Sequence, residues 1–223
     1  MTIAEDKDGA ARQWGVPPDC LEQEVWENVL RAWSMLHFPT NIRVEDPITR
    51  LLWDKLDELM VTSESTRWVV YAQAELWERA GEIVGRTDLS FRHLSRRTQF
   101  YILECKRLNI PADVQRKRPE SNADNYVADG MTRFVTGQYS PEMPCGGMLG
   151  YVMDGALQKA RKAVESALDK HAAALVFPDK RRFGKCRFLP ASPRGGTTRH
   201  RRGRQRFVLH HLLVNVREQS APR

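Results

Sequence analysis

The chain has 223 residues, 41% of them apolar and 28% charged, a globular composition that excludes a wholly disordered chain, a collagen-like one and a coiled coil. The net charge is +7 and unevenly placed: Lys180 to Arg206 holds eleven Lys/Arg and no Asp/Glu, which leaves −4 on the remainder. A mildly acidic body with a basic segment points to a polyanionic partner, nucleic acid first, against the plainer reading of a solvated loop. No run of 18 apolar residues predicts a membrane span. The polar start, Met1 to Ala10, does not read as a secretory signal, so a cytoplasmic protein is expected. Cys20, Cys105, Cys145 and Cys186 lie far apart without Cys-x-x-Cys spacing, so free thiols are expected rather than zinc ligands.

Pro17-Pro18 and the candidate cap Asp19 open the first predicted helix, whose apolar face is Leu21, Val25, Val29, Trp33 and Leu36, widened by Trp26 and Leu30, before Pro39 ends it. A second helix is predicted from Asp46-Pro47, with Asp46 as cap and a stripe of Ile48, Leu51, Leu52, Leu56 and Leu59. Trp68-Val69-Val70-Tyr71 starts a strand expected to run to about Ala74. Glu82 to Phe91 and Gln99 to Arg107 read as a hairpin with a loop longer than the tightest turns. Residues 110 to 122 read as a mobile loop with the charge run Arg116-Lys117-Arg118.

The pairs Tyr126/Val127, Gly130/Met131 and Phe134/Val135 predict a helix by their step of four. A strand is expected over Met148 to Met153. Asp154 is expected to cap a helix through Leu157, Ala160, Val164, Ala167 and Leu168. Phe188-Leu189 suggests a short strand and Phe207 to Val216 a long one, separated by a basic, Gly-rich segment from Ser192 to Gln205. The whole predicts a mixed α/β fold around one sheet. The expected divisions are an N-terminal helical extension (1–44), a core (45–179), and a basic segment with a terminal strand completing the same domain (180–223).

The chemistry is concentrated in Asp88 and in Glu104-Cys105-Lys106. Positions i and i+2 of a strand share a face, so Glu104 and Lys106 point together and Cys105 away. If the two strands pair, Asp88 comes beside Glu104. Two carboxylates and an amine at the end of an apolar strand are costly to desolvate, and a hard divalent cation would offset that cost. An ordinary cross-strand salt bridge with Lys106, Arg92 or Arg107 accounts for the same spacing.

Asp88, fifteen residues, then Glu104-Cys105-Lys106 behind Phe100-Tyr101-Ile102-Leu103 resembles the PD-(D/E)XK nuclease superfamily over roughly residues 45–170. The resemblance implies a restriction-endonuclease-like core of helix, three-stranded antiparallel meander, helix and strand, and a phosphodiester hydrolase dependent on Mg²⁺, with Mn²⁺ as a substitute. It implies Asp88 and Glu104 as metal ligands and Lys106 as the catalytic lysine. An added acidic residue from the first core helix is expected at Glu45, with Glu75 and Glu78 as rivals. Thr87 stands where the family often has Pro. Arg133 would contact phosphate, and Arg199, Arg201, Arg202 and Arg204 would meet the nucleic-acid backbone, DNA more than RNA. A homodimer, or a companion protein in a phage- or mobile-element-defence locus, fits the superfamily's habits. The alternatives are a non-catalytic nucleic-acid-binding or structural subunit with the same fold, and a protein-interaction module. His200, His210 and His211 are expected to be structural, the last two on opposite strand faces.

Overall fold

The computed structural model describes residues 18–39, 42–62, 68–77, 83–94, 100–112, 117–139, 143–178 and 183–219. Glu78, Glu82, Arg116 and Lys180 to Arg182 lie outside the described residues, as do the side chains of Asp19 and Leu21.

The expected mixed α/β architecture is present. Helices α1 (Pro18–Met35) and α2 (Glu45–Thr62) precede strands β1 (Trp68–Trp77), β2 (Ile83–His93) and β3 (Phe100–Leu108). A continuous helical rod, α3, follows as three stretches: Ala123–Asn125, a π-helical Tyr126–Met131 and Thr132–Val135. Then come β4 (Cys145–Val152), α4 (Leu157–Lys170), the short α5 (Ala172–Leu175), β5 (Gly195–Arg202) and β6 (Gln205–Asn215). One six-stranded sheet has the order β1-β2-β3-β4-β6-β5. The β1/β2 and β2/β3 pairs are antiparallel, β3/β4 and β4/β6 parallel, and β5/β6 antiparallel. Each parallel step is bridged by helices, as parallel pairing requires.

Alternation along the strands sends side chains to two cores, one on each face. On one face Val25, Trp26, Val29 and Trp33 of α1 and Ile48, Leu52 and Leu56 of α2 cover Leu89, Leu103, Cys105, Leu149, Leu212 and Val214. On the other, α3 and α4 cover Ile102, Met148, Leu209 and Leu213. Trp26 is fully buried with its polar atom satisfied: Nε1 donates to Tyr101 Oη (3.1 Å), and Tyr101 donates on to the Gly146 carbonyl (2.8 Å).

The step of four in α3 has a physical cause. At 3.6 residues per turn, such a repeat drifts by about 40° per step around an α-helix. The wider π turn over Tyr126–Met131 absorbs this drift, and Tyr126, Val127, Gly130, Met131, Phe134 and Val135 all stay on the buried side.

Several local expectations are corrected. The second helix begins at Glu45, so Asp46 lies in its first turn rather than capping it; both acids there favour the positive end of the helix. β1 continues to Trp77, so Glu75 is a strand residue, paired with Arg86. Within 110–122, Ile110 and Glu120 form an antiparallel bridge, while residues 113–116 of the expected loop lie outside the described residues. Asp154 does not cap α4. Its Oδ1 accepts the Ala156 N–H (2.9 Å) in the turn before the helix, and Asn109 donates to the same oxygen. Phe188-Leu189 forms no strand, because its backbone has no ladder partner there. The basic segment contains a strand, β5, whose inward side chains Thr198 and His200 are polar, so apolar alternation could not reveal it.

Those inward polar groups are satisfied in series. His200 Nδ1 meets the Leu175 carbonyl (2.7 Å), its Nε2 meets Thr198 Oγ1 (2.7 Å), Thr198 Oγ1 meets His211 Nε2 (2.8 Å), and His211 Nδ1 meets Tyr126 Oη (3.0 Å). His211 and its neighbour His210 face opposite sides of the sheet, as expected.

Gly147 on β4 lies tightly packed beneath Trp26 of α1 and beside Leu103 of β3. A Cβ there would stand 2.1 Å from Leu103 Cδ2 and 2.7 Å from Trp26 Cζ2. Gly147→Ala is expected to lower the unfolding free energy by about 1–3 kcal/mol, the usual cost of overpacking, measured by urea denaturation. An unchanged midpoint would show that α1 does not bear on the strand there.

Candidate functional site

The site begins with a break in strand pairing. β2 and β3 pair at Arg92/Phe100, Phe91/Tyr101, Ser90/Ile102 and Leu89/Leu103, and the ladder stops there. Beyond it β2 stays with β1 while β3 continues beside β4, so the two strands fork. The β3 amides on the open side then need other acceptors. Two carboxylates supply them. Asp88 Oδ2 accepts the Cys105 N–H (2.6 Å), and Glu45 Oε2 accepts the Arg107 N–H (2.8 Å). Glu45 reaches β3 because it opens α2, and Asp88 because it is the first residue past the last β2/β3 pair.

Glu104 and Lys106 project together from β3 under α3. Gly130 lets the rod approach: a Cβ there would be 3.6 Å from Glu104 Cγ and from Lys106 Cγ, and 2.6 Å from Met148 Cε. Lys106 Nζ donates to Glu104 Oε1 (2.6 Å) and lies 3.8 Å from Glu45 Oε1 and 3.7 Å from Asp129 Oδ2. Arg133 Nη1 donates to Glu104 Oε1 (3.2 Å) and to Tyr139 Oη (2.7 Å), and its Nη2 donates to Asp129 Oδ1 (2.9 Å). Tyr139 donates to the Arg86 carbonyl (2.6 Å), tying α3's exit loop to the β2 arm of the fork.

Four carboxylates therefore surround one ammonium and one guanidinium. Glu104 is fully buried, and its Oε2 has no protein partner. Burial, reinforced by the Asp88 charge, pushes Glu104 up to about 7 against the pull of Lys106 and Arg133. Burial raises Asp88 to about 6, opposed by Lys106 and the Cys105 N–H. Burial also raises Glu45, opposed by Lys106. For Lys106 burial acts downward, but Glu104, Asp88 and Glu45 outweigh it and hold the ammonium charged.

The sequence-predicted residues Asp88, Glu104, Lys106, Glu45 and Arg133 thus meet in one place. Glu75 does not: it pairs with Arg86. Asp129 and Tyr139 belong to the cluster and were not expected from sequence. Asp129 was findable, since it lies four residues before Arg133 and so on the same helical face. Tyr139 had no such signal. Arg199, Arg201, Arg202 and Arg204 are elsewhere, at the β5/β6 hairpin. Glu104 aligns through Met148 with His211, and the hairpin's Arg202/Gln205 end is about 20 Å further along β6 at 3.3 Å per residue. Arg199, Arg201 and Arg204 are exposed there. Arg202 is tucked in, its guanidinium 4.0 Å over the Phe207 ring and donating to the Met143 carbonyl.

Among the described residues no group of three or more His, Cys, Asp or Glu side chains is arranged to hold a metal ion. The donor chemistry nevertheless fits a hard divalent cation. Glu104 carries an unpartnered buried oxygen, and Asp88 and Glu45 add carboxylate oxygens around the same ammonium. A cation bound to them would relieve the like-charge and burial cost that now raises them.

Raised carboxylates destabilise the fold at neutral pH. The folded chain holds the Asp88 proton up to about pH 6, whereas an unfolded chain releases it near 3.8, so the penalty is fully present above 6 and vanishes below 3.8. Asp88→Asn keeps an oxygen for the Cys105 N–H and is expected to stabilise the protein in EDTA at pH 8 by on the order of 2 kcal/mol. The gain should fade as pH falls towards 4, which thermal melts across pH would follow. A variant less stable than wild type at pH 8 would show that the carboxylate is not strained.

No protein-family model, curated protein or solved structure matches this chain.

Proposed function

We propose that this protein is a metal-dependent nuclease, hydrolysing phosphodiester bonds of nucleic acid, with DNA the favoured substrate and Mg²⁺ the favoured cation. The single observation that carries the reading is the convergence of Glu45, Asp88 and Glu104 on Lys106 in the β2/β3 fork. The spacing of these residues in sequence supports the same reading through its resemblance to PD-(D/E)XK nucleases. Asp88, Glu104 and Glu45 would hold the cation, which supplies Lewis-acid polarisation of the scissile phosphate. Lys106 offers an ammonium that stabilises charge developing on phosphoryl oxygens. Arg133, less buried, offers a guanidinium for the same anionic groups. The exposed arginines of the hairpin, spread over about 10–20 Å along the sheet, add contacts to the nucleic-acid backbone away from the reacting bond.

One observation favours a second reading, a nucleic-acid-binding subunit that does not cut. Glu104 Oε1 already accepts from both Lys106 and Arg133, so that oxygen is satisfied without a metal ion.

The expected outcome is cleavage of plasmid, linear duplex, single-stranded DNA or RNA with Mg²⁺ or Mn²⁺ and none with EDTA. Lys106→Ala and Glu104→Ala should each lose about 10²–10³-fold in rate while keeping a native circular dichroism spectrum. Activity retained in both variants would overturn the nuclease; salt-sensitive binding without cutting in the wild type would favour the subunit. With Asp88 at about 6 and Glu104 at about 7, both must release protons to bind a cation. The rise in melting temperature caused by Mg²⁺ should therefore be present at pH 8 and lost by pH 5.

A further inference from the structure

On the opposite face of the sheet from Glu104, two strands away, a second polar constellation lies between α1 and β6. His210, only 5% exposed, points towards α1. Its Nδ1 is 3.7 Å from Cys186 Sγ, and its Nε2 is 2.5 Å from Glu22 Oε2, an ion pair rather than an aligned hydrogen bond. Glu22 is itself largely buried on α1, and the Phe188 ring packs against the imidazole with centroids 4.9 Å apart. Cys186 is a free, partly exposed thiol. A thiol, an imidazole and a carboxylate are therefore arranged in order, the two partners on opposite ring nitrogens.

That order is the one in which a base activates a nucleophile while a third group orients the base. It excludes joint chelation of a metal, since Cys186 and Glu22 approach different nitrogens. Burial disfavours a charged His210, but Cys186 and Glu22 outweigh it and hold the imidazolium, up to about 9. An imidazolium donates from both nitrogens, so it suits an anion on each side. Other titratable groups nearby are Tyr101 on β3 and Cys145 at the start of β4, both buried, His211 on the far face, and exposed Arg187 next in the chain.

We propose that Cys186, His210 and Glu22 form an ion-paired nucleophile whose sulfur is oxidised to the sulfenic acid by a hydroperoxide. The site is partly buried beside Phe188, which suits a small uncharged electrophile. In the proposed reacting pair the thiol proton has passed to His210 Nδ1, 3.7 Å from the sulfur. The thiolate attacks the outer peroxide oxygen, the S–O bond forms as O–O breaks, and the sulfur is oxidised as the peroxide is reduced. The departing hydroxide or alkoxide takes the proton from Nδ1 and leaves as water or alcohol. Cys186 is the reacting residue; His210 and Glu22 are positioning residues for it.

The test is a brief hydrogen peroxide pulse on the folded full-length chain from pH 5.5 to 8.5, with remaining thiols counted by peptide mass spectrometry and free glutathione as reference. An unassisted thiol loses roughly tenfold in rate per unit below about 8.5. Cys186 should react at least about tenfold faster than buried Cys105 and Cys145, with a rate that stays level down to pH 6.5. His210→Gln should restore the glutathione-like slope. If that variant fails to fold by circular dichroism, Glu22→Gln, which leaves thiol and imidazole in place, should steepen the profile. A wild-type rate that tracks glutathione, or no reaction at Cys186, overturns the proposal. So does a level profile that persists in a folded variant, because His210 and Glu22 would then not be its source.

Discussion

The fork between β2 and β3 is the constraint on which the site depends. A strand that loses its neighbour halfway exposes amides that must find acceptors. Here Asp88 and Glu45 take those amides, so the carboxylates are fixed by backbone hydrogen bonds rather than by packing alone. Each is also held at a set point of the architecture, one just past the last rung of the β2/β3 ladder and the other at the first turn of α2. On its other edge β3 pairs in parallel with β4 from Leu103 to Leu108, so Glu104 and Lys106 stay on a backbone-paired strand where the charges gather.

This arrangement concentrates acid in a place poor in water. Burial and the Asp88 charge raise Glu104, burial and the Glu45 charge raise Asp88, and Lys106, Arg133 and, for Asp88, the Cys105 N–H hold them in check. Such a cluster is a strain that the rest of the protein must carry. The carrying capacity lies in the two cores on either face of the sheet, where α1, α2, α3 and α4 each bury an apolar stripe. The π turn matters here as geometry: it brings Asp129 and Arg133 over β3 while keeping Phe134 and Val135 inside.

Much of the site was legible because strand alternation is a strict rule. Glu104 and Lys106 had to share a face, and an apolar run before them had to be a buried strand. Glu45 was expected only through the family resemblance, as an acid added from the first core helix. The rest was hidden for identifiable reasons. β5 turns Thr198 and His200 inward, so it lacks the apolar period by which strands are read. Tyr139 joins the site through a loop, and loops carry no periodicity. Glu22, Cys186 and His210 come from three distant segments, so only the folded chain brings them together. The four arginines of the basic segment share a composition but not an environment: Arg202 lies over Phe207, while Arg199, Arg201 and Arg204 face solvent.

The buried series from Leu175 to Tyr126 has a definite polarity. A carbonyl can only accept, so His200 must carry its proton on Nδ1; burial keeps that ring neutral, leaving Nε2 to accept from Thr198. Thr198 has spent its single hydrogen, so His211 must donate to it from Nε2. His211, also kept neutral by burial, then accepts on Nδ1 from the Tyr126 hydroxyl. One carbonyl on α5 thereby dictates two histidine tautomers and two hydroxyl orientations, through two strands and into the π-helical stretch of α3. The five groups act as a single oriented dipole chain, and because its carbonyl end can only accept, no link in it can reverse.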